Sequence, residues 1–220
     1  MEFRVLEGVP PADVRAFLAM ARKRSFDRAE VVFHEGDAAD AVHLVTRGRF
    51  ALRVVSPLGQ SAMLAVRGPG ETFGEFALVA EGTRRTVSVA ALELGETVSV
   101  GREAFLGLVR RHPSLMDVLV ALLAERLRYS DKRILAQQFL DADARVRWAL
   151  LELVPVYADT DGVVPLTQEN LAELAGTARG TVNRVLREEQ ERGAVALERG
   201  RIRVLDPDAL ADRVHGLPQR

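Results

Sequence analysis

The chain has 220 residues, enough for one large or two small domains, and its 48% hydrophobic and 28% charged content is ordinary for a globular protein. It contains no cysteine, which excludes a disulfide framework, thiolate zinc sites, cysteine-ligated iron–sulfur clusters and a cysteine nucleophile. The net charge of −1 offers nucleic acid no general attraction, so any basic footprint must be local.

The opening Met1-Glu2-Phe3-Arg4 lacks the basic-then-apolar build of a signal peptide, and no apolar run reaches spanning length. A cytoplasmic protein with no membrane partner is expected. Pro11 to Ala21 reads as a helix. Short runs rich in Val, Leu and Ala follow: Val31 to His34, Ala41 to Thr46, Arg49 to Ser56, Ser61 to Arg67 and Thr86 to Leu94. Glu35-Gly36-Asp37, Arg47-Gly48, Pro57-Leu58-Gly59 and Gly68-Pro69-Gly70 separate them as turns. Short strands broken by close glycine turns predict an antiparallel barrel or jelly roll over residues 1–113.

Beyond Pro113 the texture changes. Ser114 to Leu140 contains neither Gly nor Pro and reads as one long helix. Met116, Val120, Leu123, Leu127, Ser130, Ile134 and Gln137 step alternately by four and three, the heptad spacing of two helices packed side by side. A dimer seam over 114–140 is expected; a helix packed on its own domain is the alternative. Ser130 breaks the seam, either as a tolerated defect or because it faces something polar near the axis.

Residues 141–220 form the third section. Asp141 to Val154 is amphipathic, and Thr167 and Asn170 bracket a helix start whose buried face is Leu171, Leu174 and Ala175. Gly176 ends that helix, and Thr177 to Glu191 reads as the next, buried through Val182, Val185 and Leu186. Two short helices about a glycine turn make a helix-turn-helix. Ala194 to Leu197 and Arg201 to Leu205 then form a hairpin, the wing. Residues 141–220 carry 11 Arg against 14 Asp plus Glu, yet residues 177–203 carry 7 Arg against 4 Glu. DNA is expected at that basic island, with Arg199 and Arg201 of the wing among its contacts. A solvated face with internal pairs such as Arg187 to Glu191 would explain the helix, but the wing arginines less well.

In this order the residues resemble the Crp/Fnr family of bacterial regulators, nearest its cyclic-nucleotide-binding branch. The resemblance rests on Phe33-His34-Glu35-Gly36-Asp37, Gly48, Gly74-Glu75 with Arg84-Arg85-Thr86, the long helix, and Leu166-Thr167-Gln168-Glu169-Asn170 with Arg179-Gly180-Thr181-Val182-Asn183-Arg184. It implies an α+β protein: an N-terminal antiparallel β-barrel, a dimerisation helix and a C-terminal winged helix-turn-helix. In the family's nucleotide-binding members a helix start receives a phosphate on free N–H groups, an arginine adds a bidentate contact, and a carboxylate accepts from the ribose hydroxyl. The resemblance gives these roles to Gly74, Glu75, Arg85 and Thr86, with Arg84 the alternative to Arg85. It gives base contacts, one from each subunit, to Ser130 and Asp131. Asp131 replaces a neutral side chain there, and only accepts while ionised.

The effector implied is cyclic AMP, with cyclic GMP second because Thr86 follows the arginine; no tightly bound cofactor and no metal are implied. A barrel that has lost its ligand, leaving a constitutive regulator, is the further alternative. His34, His43, His112 and His215 read as surface or turn residues. On the DNA side the resemblance points to Thr167, Arg179, Gly180, Thr181, Asn183 and Arg184. Arg179 and Arg184 match positions that read guanine edges, and Thr181 matches a phosphate contact. Gly180 stands where the family has Glu, so the usual operator is in doubt at one base pair. The implied partners are a two-fold symmetric operator in duplex DNA, a second copy of the chain, and RNA polymerase. No Ser-His-Asp, metal or P-loop arrangement supports an enzyme. A nucleotide-binding module acting through protein contact would differ by lacking salt-dependent affinity for random DNA.

Overall fold

In the computed structural model, which describes residues 2–78, 82–160, 162–198 and 200–215, the chain forms two compact units. One comprises Met1–Val54 with Leu64–Leu127, the other Val55–Met63 with Arg128–Arg220, so the division falls inside the long helix.

In the first unit α1 (Pro11–Ala19) starts on a proline, which suits a first helical turn whose N–H has no partner. The strands are β1 (Arg22–Phe26), β2 (Val31–Phe33), β3 (Ala41–Arg47), β4 (Phe50–Val55), β5 (Ser61–Arg67), β6 (Thr72–Phe73), β7 (Ser88–Ala91) and β8 (Gly95–Gly101). They build two four-stranded sheets, ordered β1-β8-β3-β6 and β2-β7-β4-β5, with every assigned pairing antiparallel. A one-turn 3₁₀ helix, Glu75–Leu78, follows β6. Phe26, Phe33, Phe50 and Phe73 fill the space between the sheets, and Phe26 meets Phe50 edge-on at 5.6 Å. Then comes α2 (Arg102–Arg111), which buries Phe105 and Leu108 against Phe17 of α1 and Phe3.

The 26-residue helix α3 (Ser114–Phe139) follows. In the second unit come α4 (Ala142–Leu153), β9 (Val163–Val164), α5 (Gln168–Ala175), α6 (Arg179–Glu191), β10 (Val195–Glu198), β11 (Arg201–Val204) and α7 (Pro207–Ala211). Asp141, Thr167 and Asp206 each cap a helix, accepting from the backbone N–H three residues on. Gly176 ends α5 in the left-handed region, φ 61°, where an L side chain is strained and where a Cβ would also meet the Gln137 amide. The C-terminal carbonyls of α5 find donors outside the helix. Arg133 of α3 donates to Leu174 O at 3.0 Å, and Arg145 of α4 donates to Ala175 O at 3.1 Å and to Gly176 O at 3.3 Å. Gln137 reaches Ala175 O at 3.5 Å. The wing strands β10 and β11 pair, and β11 also pairs β9.

Several expectations need correction. The strand read over Thr86 to Leu94 is only β7. Glu93 turns out to pair Arg49 at 3.2 Å, and the chain reverses into β8 at Gly95. The helix read from Thr177 starts at Arg179, because Ala178 is extended and the Thr177 N–H donates back to Ala172 O. His43 is no surface residue. It is 2% exposed, stacks on Phe73 at 5.0 Å, and shares a 3.1 Å hydrogen bond with Thr97. Burial, then the nearby Arg85 and Arg24, push its pKa down to about 3, so the imidazole is neutral.

Candidate effector and nucleic-acid sites

In the first unit the turn between β6 and the 3₁₀ helix brings Gly74, Glu75 and Arg85 together. Gly74 has φ +82°, and a Cβ there would lie 2.6 Å from Arg85 Nη1; only glycine lets the guanidinium this close. Arg85 Nη1 donates to Gly74 O at 3.2 Å, its guanidinium lies 4.1 Å over the Phe33 ring, and Asp40 Oδ1 is 3.5 Å from Nη2. Arg85 is 6% exposed, and burial lowers its pKa while Asp40, Asp37 and Glu75 work against that. Its Nε is buried with no hydrogen-bond partner among the described residues. Arg84 is different: exposed, it donates to Gly36 O at 2.8 Å.

Glu75 opens the 3₁₀ helix and forms an ion pair through Oε1 with Arg126 of α3, a pair whose position the sequence did not signal. Arg126 also donates to Thr72 O at 2.7 Å and to Thr72 Oγ1 at 3.1 Å. The other carboxylate oxygen, Glu75 Oε2, is buried with no partner among the described residues. An orphan acceptor and an orphan cationic donor are a costly pair to bury. A ligand bearing a hydroxyl and a phosphate would satisfy both, so these residues fit a cyclic nucleotide. Thr86 is exposed beside Arg85. Ser130 and Asp131 are exposed on the part of α3 that belongs to the other unit.

In the second unit Thr167, Gln168, Arg179, Asn183, Gly200 and Arg201 line one cleft of about 490 Å³ between α5, α6 and the wing. Asn183 Nδ2 donates to Gln168 Oε1 at 3.0 Å, linking the two helices; Gln168 was visible in the motif but not singled out. On α6 the residues Val182, Val185, Leu186 and Glu189 are buried, Gly180, Arg184 and Arg187 are exposed on the opposite side, and Arg179, three residues before Val182, is exposed at the flank. Arg187 lies on the same exposed stripe, and the sequence marks it only by its charge. Thr181 and Asn183 are half-buried. Arg184 lies outside the cleft and is paired with Asp143 and Glu188. Arg199 lies outside the described residues. Among those residues no group of three or more His, Asp or Glu gathers to hold a metal ion, and no helix is long and apolar enough to cross a membrane.

Comparison with known proteins agrees with this division. Residues 23–112 match a cyclic nucleotide-binding domain and residues 144–213 a Crp-like helix-turn-helix domain. The chain is 38% identical over 216 residues to a "Cyclic AMP receptor protein" of Thermus thermophilus, covering 97% of each chain. It is 29% identical over 214 residues to a "CRP-like cAMP-activated global transcriptional regulator" of Mycobacterium tuberculosis, covering 95% of each. Among solved structures, the Thermus thermophilus catabolite activator protein matches at 36% identity and TM-score 0.55, covering 96% of this chain and 98% of that one. FixK2 of Bradyrhizobium japonicum matches at 20% identity and TM-score 0.79, covering 90% and 99%, which speaks for the fold alone.

Proposed function

Since the chain belongs to the Crp/Fnr family, and is therefore a DNA-binding transcription regulator with a cyclic nucleotide-binding domain rather than an enzyme, we propose that it is a cytoplasmic homodimer controlled by cyclic AMP. Residues 1–113 form the effector-sensing domain, 114–140 form the dimer helix, and 141–220 bind a two-fold symmetric operator and bring RNA polymerase to it.

The observation that carries the effector reading is the pair of buried, unpartnered atoms, Glu75 Oε2 and Arg85 Nε. Glu75 accepts from the ribose 2′-hydroxyl, and Arg85 and the Thr86 hydroxyl hold the phosphate. Ser130 and Asp131 meet the base, Asp131 accepting from the adenine amino group. Thr86 supports cyclic GMP as a second reading, because its hydroxyl reaches the guanine amino group of a syn base. In the DNA domain Arg179 and Arg184 read base edges, Thr181 and the wing residues Arg199 and Arg201 hold phosphates, and Thr167, Gly180 and Asn183 complete the surface.

Calorimetry with cyclic AMP and cyclic GMP tests the effector, and Arg85→Ala should abolish binding of either. If neither nucleotide binds at millimolar concentration while the dimer still selects one operator, the constitutive reading replaces this one.

A further inference from the structure

Arg184 stands on the exposed side of α6, one helical turn past Gly180, yet its guanidinium is already engaged. Nη2 donates to Asp143 Oδ1 at 2.5 Å and Nη1 to Asp143 Oδ2 at 2.9 Å, a two-pronged pair to the first turn of α4. Nη1 also meets Glu188 Oε1 at 2.9 Å. Arg184 holds the Asp143 carboxyl below its usual range, so the pair stays fully charged at neutral pH. Arg179, five residues earlier, has no such partner among the described residues.

The geometry assigns Asp143 a part in DNA specificity: it keeps Arg184 in reserve, and the guanidinium turns to DNA only where other contacts have already seated α6. This rests on the reading that α6 enters the groove. The two acceptors of a guanine edge match the same fork of donors that Asp143 now fills, but they carry no net charge. Exchanging a carboxylate for them is uphill until the complex is otherwise well docked. A loosely bound duplex leaves the pair intact, and the Asp143 carboxylate repels its phosphates.

The test uses the full chain in saturating cyclic AMP, with a duplex selected by that chain from a random library. Asp143→Asn should tighten binding to the selected duplex by about three- to tenfold, the worth of a well-formed exposed pair. Arg184→Ala alone should cost less than about threefold, but more than about tenfold in the Asp143→Asn background. Thermal midpoints serve as the check that each variant folds. An equal gain from Asp143→Asn with alanine at 184 would mean simple charge removal and would overturn the inference, as would no gain at all. Arg179→Ala separates the two levels. If it leaves the selected duplex as tightly bound as before, α6 does not read the groove, and the functional reading falls together with this one.

Discussion

Arg147 Nε on α4 donates to Glu189 Oε1 on α6 at 2.8 Å, and the receiving carboxylate has no exposed surface. Arg192 reaches the same oxygen at 3.1 Å, and Arg213, just past α7, holds the other. Three elements are thus tied through one buried charge. Glu189→Leu removes the anion and leaves the guanidinium groups facing one another. It should cost about 3–5 kcal/mol in urea unfolding, because breaking a buried pair strands its partners. Arg213→Ala should cost distinctly less, since that side chain is one-third exposed.

His43 should shape the acid limb of stability. Its folded pKa of about 3 lies below its ordinary 6.5, so the folded state favours the neutral ring. That contribution is complete above pH 6.5 and is lost as pH falls toward 3, at up to about 1.4 kcal/mol per pH unit. His43→Phe keeps a ring against Phe73 but cannot titrate. Urea midpoints taken from pH 7 to pH 4 should fall less steeply for this variant than for the wild type, and parallel slopes would show that His43 is not the group responsible.

The seam of α3 lies open. Met116, Val120, Leu123, Leu127 and Ile134 have relative exposures of 42 to 64%, an apolar row along one helix that only Ser130 interrupts. Asp at both Leu123 and Leu127 should yield a monomer in sedimentation, and DNA affinity should collapse because two half-sites are no longer engaged together.

Arg179→Ala should relax preference at one base pair and cost about 1–3 kcal/mol on the best site. Arg201→Ala should weaken all sequences alike and flatten the salt dependence. Gly180 is the second residue of α6, and a Cβ there meets nothing within 4 Å. Gly180→Glu should therefore fit, raise stability by about 1 kcal/mol through helix propensity and the helix dipole, and move the selected site toward cytosine opposite residue 180. Selection from a random library reads the last effect and thermal unfolding the first.

The capped helix starts and glycine stops of the DNA-binding half were legible in the sequence because they are local. Thr167 accepts from Asn170, and Gly176 takes a left-handed turn, at the positions where pattern placed them. Burial on both faces was not legible. In Val42-His43-Leu44 a two-residue period puts His43 outside, but β3 lies between β8 and β6 with four consecutive residues buried. The edge strand β1, Arg-Lys-Arg-Ser-Phe, has four exposed residues in a row and so carries no alternation to read. At the candidate sites Gly74, Glu75 and Arg85 could be named from their motif. Arg126 and Asp143 could not, because each meets its partner across dozens of residues of chain and only the fold brings them together.

The donors that α3 and α4 send to the end of α5 have a mechanical meaning. Arg133, Gln137 and Arg145 grip the last carbonyls of α5, and only Gly176, Thr177 and Ala178 separate that helix from α6. A turn of α3 about its own axis would thus reach α6 as a lever stroke, through the end of α5 and the short link that follows it.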